Sequence, residues 1–142
     1  VLVETILQTK GIVVHTLPQT ANLADAVRLL NQHNIGAVVV TDAANAIVGI
    51  ISERDIVRRL GADAGATLAM PVGDCMTKGV LTCTRDTMID DVMERMTRYR
   101  IRHMPVTDDR GLVGIVSIGD VVKHKIEAAE REAEVLREYI AS

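Results

Sequence analysis

The sequence predicts a mixed α/β (α+β) fold: two β-α-β-β-α repeats packed sheet to sheet with pseudo-twofold symmetry, plus a C-terminal helix. Three observations carry that expectation. Four sequence blocks recur in one order, a helical apolar stripe recurs inside each copy, and each copy joins two β-rich runs through an Asp-containing turn.

The blocks are explicit. Lys10-Gly11-Ile12-Val13 returns as Lys78-Gly79-Val80-Leu81, and Leu23-Ala24-Asp25-Ala26-Val27 returns as Ile89-Asp90-Asp91-Val92-Met93. Val40-Thr41-Asp42 returns as Val106-Thr107-Asp108. The block from Gly49 to Val57 returns from Gly114 to Val122. The step is 68 positions from Lys10 to Lys78 and 65 from Gly49 to Gly114, so small loop deletions separate the copies. The expected units are residues 1–66 and 67–126, followed by a helical extension over 127–142.

Each copy opens on a β-rich run, residues 12–16 and 80–84. A helix follows, with Leu23, Ala26, Val27 and Leu30 in the first copy and Ile89, Val92, Met93 and Met96 in the second. Both sets fall at i, i+3, i+4 and i+7, one buried stripe of an amphipathic helix. Strands are expected over 37–41 and 103–107, Asp-containing turns over 42–45 and 108–111, and returning strands over 47–51 and 112–116. Each strand pair reads as a hairpin, and a second helix starts at Ser52 or Ser117. Residues 61–73, with Gly61, Gly65 and Pro71, form the connection. One such unit cannot cover both faces of a three-stranded sheet, whereas two can, leaving a cleft on each side of the axis.

Residues 121–140 read as one long helix. Val122, Ile126, Ala129, Ala133, Leu136 and Ile140 make a 4-3-4-3-4 seam, too short for a stable isolated coil. The seam is expected to pack on its own module or on a second chain.

Composition excludes several functions. With no Phe or Trp, and only Tyr99 and Tyr139, the chain has no aromatic platform for single-stranded nucleic acid. A net charge of −3 gives no global field for nucleic acid or acidic lipid. Arg95, Arg98, Arg100, Arg102 and Arg110 remain open to three readings: a solvated helix end, a phosphate contact through Arg102, or a nucleic-acid surface. His15, His33, His103 and His124 lack metal-ligand spacing, and Cys75 and Cys83 read as reduced thiols of a cytoplasmic protein. No signal peptide is visible, and no apolar run approaches the ~18 residues of a membrane span.

The motif that carries chemistry is Gly-x-x-Ser-x-x-Asp at a strand-to-helix junction, at Gly49/Ser52/Asp55 and again at Gly114/Ser117/Asp120. As structure, Ser-x-x-Asp is a helix capping box. As chemistry, the Gly permits close approach, the Ser and helix amides suit an anion, and the Asp can accept from a sugar diol. The two readings are compatible.

Over about residues 1–126 this pattern resembles a tandem pair of cystathionine β-synthase (CBS) domains, a Bateman module. The resemblance implies two clefts for adenosine-containing ligands: AMP, ADP or ATP, with NAD(H) in one cleft and S-adenosylmethionine ranked below these. By motif position, Asp55 and Asp120 would hold ribose hydroxyls, and Ser52 and Ser117 would assist at ribose or phosphate. Ile12, Val13 and Val14, and Val80 to Thr82, would sandwich adenine. The copies are unequal. Glu53-Arg54 stand between Ser52 and Asp55, where the second copy has Ile118-Gly119, and Arg102-His103 precede Met104 and Pro105, where the first copy has Gly36-Ala37. The clefts are therefore expected to differ in affinity or ligand.

The resemblance also implies a homodimer of modules acting on an unidentified protein effector, outside the membrane. An enzyme is not expected, since no Walker loop, dinucleotide fingerprint or catalytic triad can be placed. The alternative is a nucleic-acid-binding regulator acting through the basic cluster from Arg95 to Arg110.

Overall fold

The structure, a computed structural model, describes residues 1–141. The first copy contains strand β1 (Thr16–Leu17), helix α2 (Leu23–His33), the hairpin β2 (Ala37–Thr41) and β3 (Ile47–Ser52), and helix α3 (Glu53–Ala62). The second contains α5 (Ile89–Tyr99), the hairpin β4 (His103–Asp108) and β5 (Gly111–Ser117), and the long α6 (Ile118–Ala141). Before the first copy stands α1 (Val3–Lys10). Between the copies lie α4 (Ala64–Thr67) and a 3-10 turn (Val72–Asp74).

The hairpins repeat down to their irregularities. Val40 pairs with Gly49 and Val106 with Gly114, and the register slips at Val40/Thr41 in one and Val106/Thr107 in the other. The opening strands differ from expectation. In the first copy only Thr16 and Leu17 pair, in parallel with Val39 and Val40. In the second a single parallel bridge, Cys83 to Val106, stands where residues 80–84 were expected to form a strand. The neighbouring Thr82 carbonyl accepts from Arg95 instead, and Thr84 turns back onto Thr87.

β2 is buried on both faces. Val38 and Val40 enter the first core with Leu23, Ala26 and Leu30 of α2 and Ile51 of β3. Ala37 and Val39 point the other way, toward the second hairpin. There His103 of β4 lies against Gly36, and Gly111 of the second turn approaches the Asn45 carbonyl of the first.

The principal departure from the sequence reading is an exchange of arms. Helix α1 precedes the first copy but belongs to the second core, where Val3, Ile6 and Leu7 are buried with Ile89, Val92, Met104 and Val116. The Val3 amide donates to the Thr87 carbonyl at 2.9 Å, and Glu4 pairs with Arg85 at 2.9 Å. Reciprocally, Val72 of the connection and Cys75 just beyond it are buried in the first core, and the Val72 amide donates to the Ala21 carbonyl at 2.7 Å. The glycines of the repeated motif make room for these arms. Met76 lies over Gly49 and Leu7 over Gly114, so close that a methyl at either position would collide.

Helix α6 packs on α1, α5 and β5 through its first turns, where Val121 and His124 are buried. Beyond them the helix projects. Val122, Ile126, Leu136 and Ile140 are at least 45% exposed, so the seam does not pack on its own module.

Candidate functional site

Two clefts of similar size meet at His103. The first, about 490 Å³, is lined by Ser52, Glu53, Arg54, Asp55 and Arg58 at the β3–α3 junction. Thr77 and residues 100–103 of the other copy complete it. The second, about 480 Å³, is lined by Ser117 and Asp120 at the β5–α6 junction, with Lys10, Val13, Val14 and His15. Residues 33–37 of the first copy close its far wall. Each cleft thus takes its Ser-x-x-Asp from one copy and its opposite wall from the other.

At both junctions the motif forms a capping box. The Ser52 amide donates to Asp55 Oδ2 at 2.9 Å and the Asp55 amide to Ser52 Oγ at 3.3 Å. The Ser117 amide and the Asp120 amide make the same exchange at 2.9 and 3.2 Å. This geometry satisfies the first orphan donors of each helix and fixes each carboxylate at a cleft wall. Asn22 and Asp25 form a third capping box at the start of α2, away from either cleft.

Charge separates the clefts. Arg54, Arg58, Arg100 and Arg102 line the first against Glu53 and Asp55, a net cationic wall beside the positive end of α3. Arg100 reaches this wall because it is the left-handed cap of α5, at φ 54°. In the second cleft Lys10 Nζ donates to Asp120 Oδ2 at 2.7 Å and to the Ile115 carbonyl at 2.9 Å. Burial alone would raise the Asp120 carboxyl, but the bonds from Lys10 and Ser117 outweigh it and hold the pKa below its ordinary value. His103 borders both clefts. Its pKa is lowered, first by burial and then by Lys10, against the opposing pull of Glu53 and Asp120. His15 and His33 stack at the second cleft with ring centroids 3.6 Å apart.

The sequence-derived site residues divide. Ser52, Arg54, Asp55, Arg102 and His103 line the first cleft, and Val13, Val14, Ser117, Asp120 and His103 the second. Ile12, Val80 and Thr82 line neither. Gly49 and Gly114 face Met76 and Leu7, so the space next to them is taken by protein rather than left for a ligand. Met104 and Pro105 are buried, Met104 within the second core. Lys10, Arg58 and Thr77 were missed, and Arg100 was read only as part of the basic cluster. The recurrence of Lys10-Gly11 as Lys78-Gly79 was the one available signal for Lys10.

The basic cluster is not one patch. Arg95 and Arg98 border a separate hollow with Asp91 and Glu94, whereas Arg100 and Arg102 turn to the first cleft. Among the described residues no group of three or more His, Cys, Asp or Glu side chains could hold a metal ion. No described helix is long and apolar enough to cross a membrane.

The fold matches that of known proteins. The CBS domain family matches residues 5–62 and again 72–127. A CBS-domain containing protein from Agrobacterium tumefaciens superposes with a TM-score of 0.85 at 42% identity, over 88% of this chain and 99% of that one. A mitochondrial CBS domain-containing protein from Arabidopsis thaliana, CBSX3, is 41% identical over 82% of this chain, which spans 58% of that protein's length. A CBS domain pair solved in complex with 5′-methylthioadenosine and S-adenosyl-L-methionine has a TM-score of 0.76 at 30% identity, covering 87% of this chain and 98% of that one. L-aspartate semialdehyde sulfurtransferase from Methanocaldococcus jannaschii is 33% identical over 84% of this chain, which spans only 22% of it. Two matches in tandem, each laid over one observed copy, make the assignment: this chain belongs to the CBS domain family and carries a pair of its domains.

Proposed function

We propose that the chain is a regulatory module that binds adenosine nucleotides in two unequal clefts and acts, as a homodimer, on a protein effector. The observation that carries the ligand class is the first cleft. Four guanidinium-bearing residues line it together with a helix N-terminus and the Ser52–Asp55 pair. That set is suited to a phosphate-bearing ligand whose sugar diol meets a fixed carboxylate. The binding of 5′-methylthioadenosine and S-adenosyl-L-methionine by a structural neighbour supports adenosine recognition. The sulfonium of S-adenosylmethionine, however, would meet the net cationic wall of the first cleft, which favours AMP, ADP, ATP or NAD(H) there. The second cleft offers Asp120 already held by Lys10, together with the apolar Val13 and Val14. It is assigned the less charged ligand.

No catalytic function is assigned: the Ser52 hydroxyl donates to Asp55 Oδ2 at 3.0 Å, but both side chains are engaged in the capping box of α3. The nucleic-acid reading loses support because its arginines divide between a cleft and an acidic hollow. The buried, unpaired thiols of Cys75 and Cys83 support a cytoplasmic setting, and cell fractionation would check it against the mitochondrial relative.

Calorimetric titration with AMP, ATP, NAD and S-adenosylmethionine tests the proposal. Asp55→Ala is expected to weaken the first cleft at least about tenfold, matching the loss of a charge-assisted hydrogen bond, and Asp120→Ala the second. Thermal melts of both variants separate lost binding from a lost helix cap. Unchanged affinity in both folded variants would overturn the site assignment.

A further inference from the structure

We infer that the exposed seam of α6 is a dimer surface on which two copies of this chain pair their C-terminal helices in parallel and in register. The inference deepens the homodimer reading above and depends on it.

The seam fits a heptad whose a positions are Ile126, Ala133 and Ile140 and whose d positions are Val122, Ala129 and Leu136. Val121 and His124, the buried residues of α6, then fall at c and f, and Ile118, which packs against the same core ahead of the seam, falls at g. In a heptad c and f lie on the side opposite a and d. The helix is therefore held by one face and presents the other. Ile126 and Ile140 at a with Leu136 at d follow the pattern of parallel two-stranded coils, and the alanines of the middle layers allow close approach.

Charge selects the occupant and its direction. The g positions hold Lys125, Glu132 and Tyr139, and the e positions Lys123, Glu130 and Arg137. In a parallel pair each g faces the e residue five positions on in its partner. Lys125 then meets Glu130, and Glu132 meets Arg137, each contact occurring twice by symmetry. In an antiparallel pair e faces e and g faces g. That arrangement sets Lys123 near Arg137, Glu130 near Glu130 and Glu132 near Glu132, all like charges. Lys125 also bonds Asp90 of its own chain at 2.8 Å, and an ammonium has donors for both acids. A free helix of this length would be marginal, but this one is already ordered on its module, which lowers the cost of pairing.

Sedimentation equilibrium of the full chain tests the pairing. The wild type is expected at twice its chain mass, and Ile126→Glu with Leu136→Glu at the single mass with its helical circular dichroism retained. Glu132→Lys alone, or Arg137→Glu alone, is expected to weaken the dimer roughly tenfold, and the two together to restore it. Direction is read from Ile140→Cys under mild oxidation. A parallel pair brings the two cysteines together, whereas an antiparallel pair separates them by about 27 Å. Efficient covalent dimer is expected. A monomeric wild type would overturn both this inference and the dimer reading. A dimer indifferent to the seam variants, or one in which Ile140→Cys fails to cross-link, would overturn the helix pairing and leave the dimer reading standing.

Discussion

His103 stands where the two clefts meet, and its protonation is tied to both. Burial and Lys10 lower its pKa below the ordinary 6.5, with Arg102 acting the same way and Glu53 and Asp120 pulling against them. The folded protein therefore favours neutral imidazole. Stability from this residue is complete above pH 6.5 and is lost as pH falls from there toward the lowered folded value, because the unfolded chain takes up the proton first. Thermal melts from about pH 8 to about pH 5 are expected to show a falling midpoint, and His103→Gln to flatten part of that fall. His15, lowered by burial and then by His33, supplies a remaining slope of the same sign. The lowered carboxyls of Asp90 and Asp120 titrate below this window and do not contribute. A wild-type midpoint that rises on acidification would refute the direction. At this scale the sequence showed Ser52, Asp55, Ser117 and Asp120, because local spacing dictates a capping box. It did not show that Lys10 sits on Asp120, because that contact joins residues 110 positions apart.

The elements that the sequence made legible are those whose periodicity is complete within one stretch. Helices α2 and α5 form around the expected stripes and both hairpins lie within a residue of expectation, since an i, i+3, i+4, i+7 stripe or a turn between β-branched runs is a local signal. Two features were not local. The opening strands shrank to two residues and to one bridge because their partners are set by tertiary packing. Helix α1 was missed because its eight residues show only one turn of apolar spacing, Val3, Ile6 and Leu7, and its burial partners lie beyond residue 80. Its weight in the fold can be measured. Leu7 is 2% exposed and fills the space over Gly114. Leu7→Ala is expected to cost about 2–5 kcal/mol by urea titration, the range for a fully buried leucine. A cost near zero would mean that α1 is an ornament rather than part of the second core.

For the whole molecule, the exchange of arms decides how it unfolds. The first core holds Val72 from the connection and Cys75 just beyond it, and the second holds Val3, Ile6 and Leu7 from the N-terminal helix. Neither core is complete without chain that belongs, in sequence order, to the other copy. Opening one should therefore remove packing from the other, and the two should melt together. The molecule supplies one reporter for each. Cys75 lies in the first core and Cys83 in the second; burial raises the Cys83 thiol to about 11, with Arg95 partly offsetting it. A native thiol with that pKa is nearly inert to alkylation, and its reactivity appears when its core opens. Pulsed alkylation across a urea series, read by peptide mass, is expected to give one midpoint for both cysteines. Leu7→Ala, which touches only the second core, is then expected to move the Cys75 midpoint as far as the Cys83 midpoint. If Cys83 became reactive at lower urea than Cys75, or if Leu7→Ala moved Cys83 alone, the copies would be separate folding units and the exchanged arms no more than surface contacts. If the midpoints move together, what one cleft feels is transmitted to the other through shared core, and a ligand that stabilises either copy stabilises both.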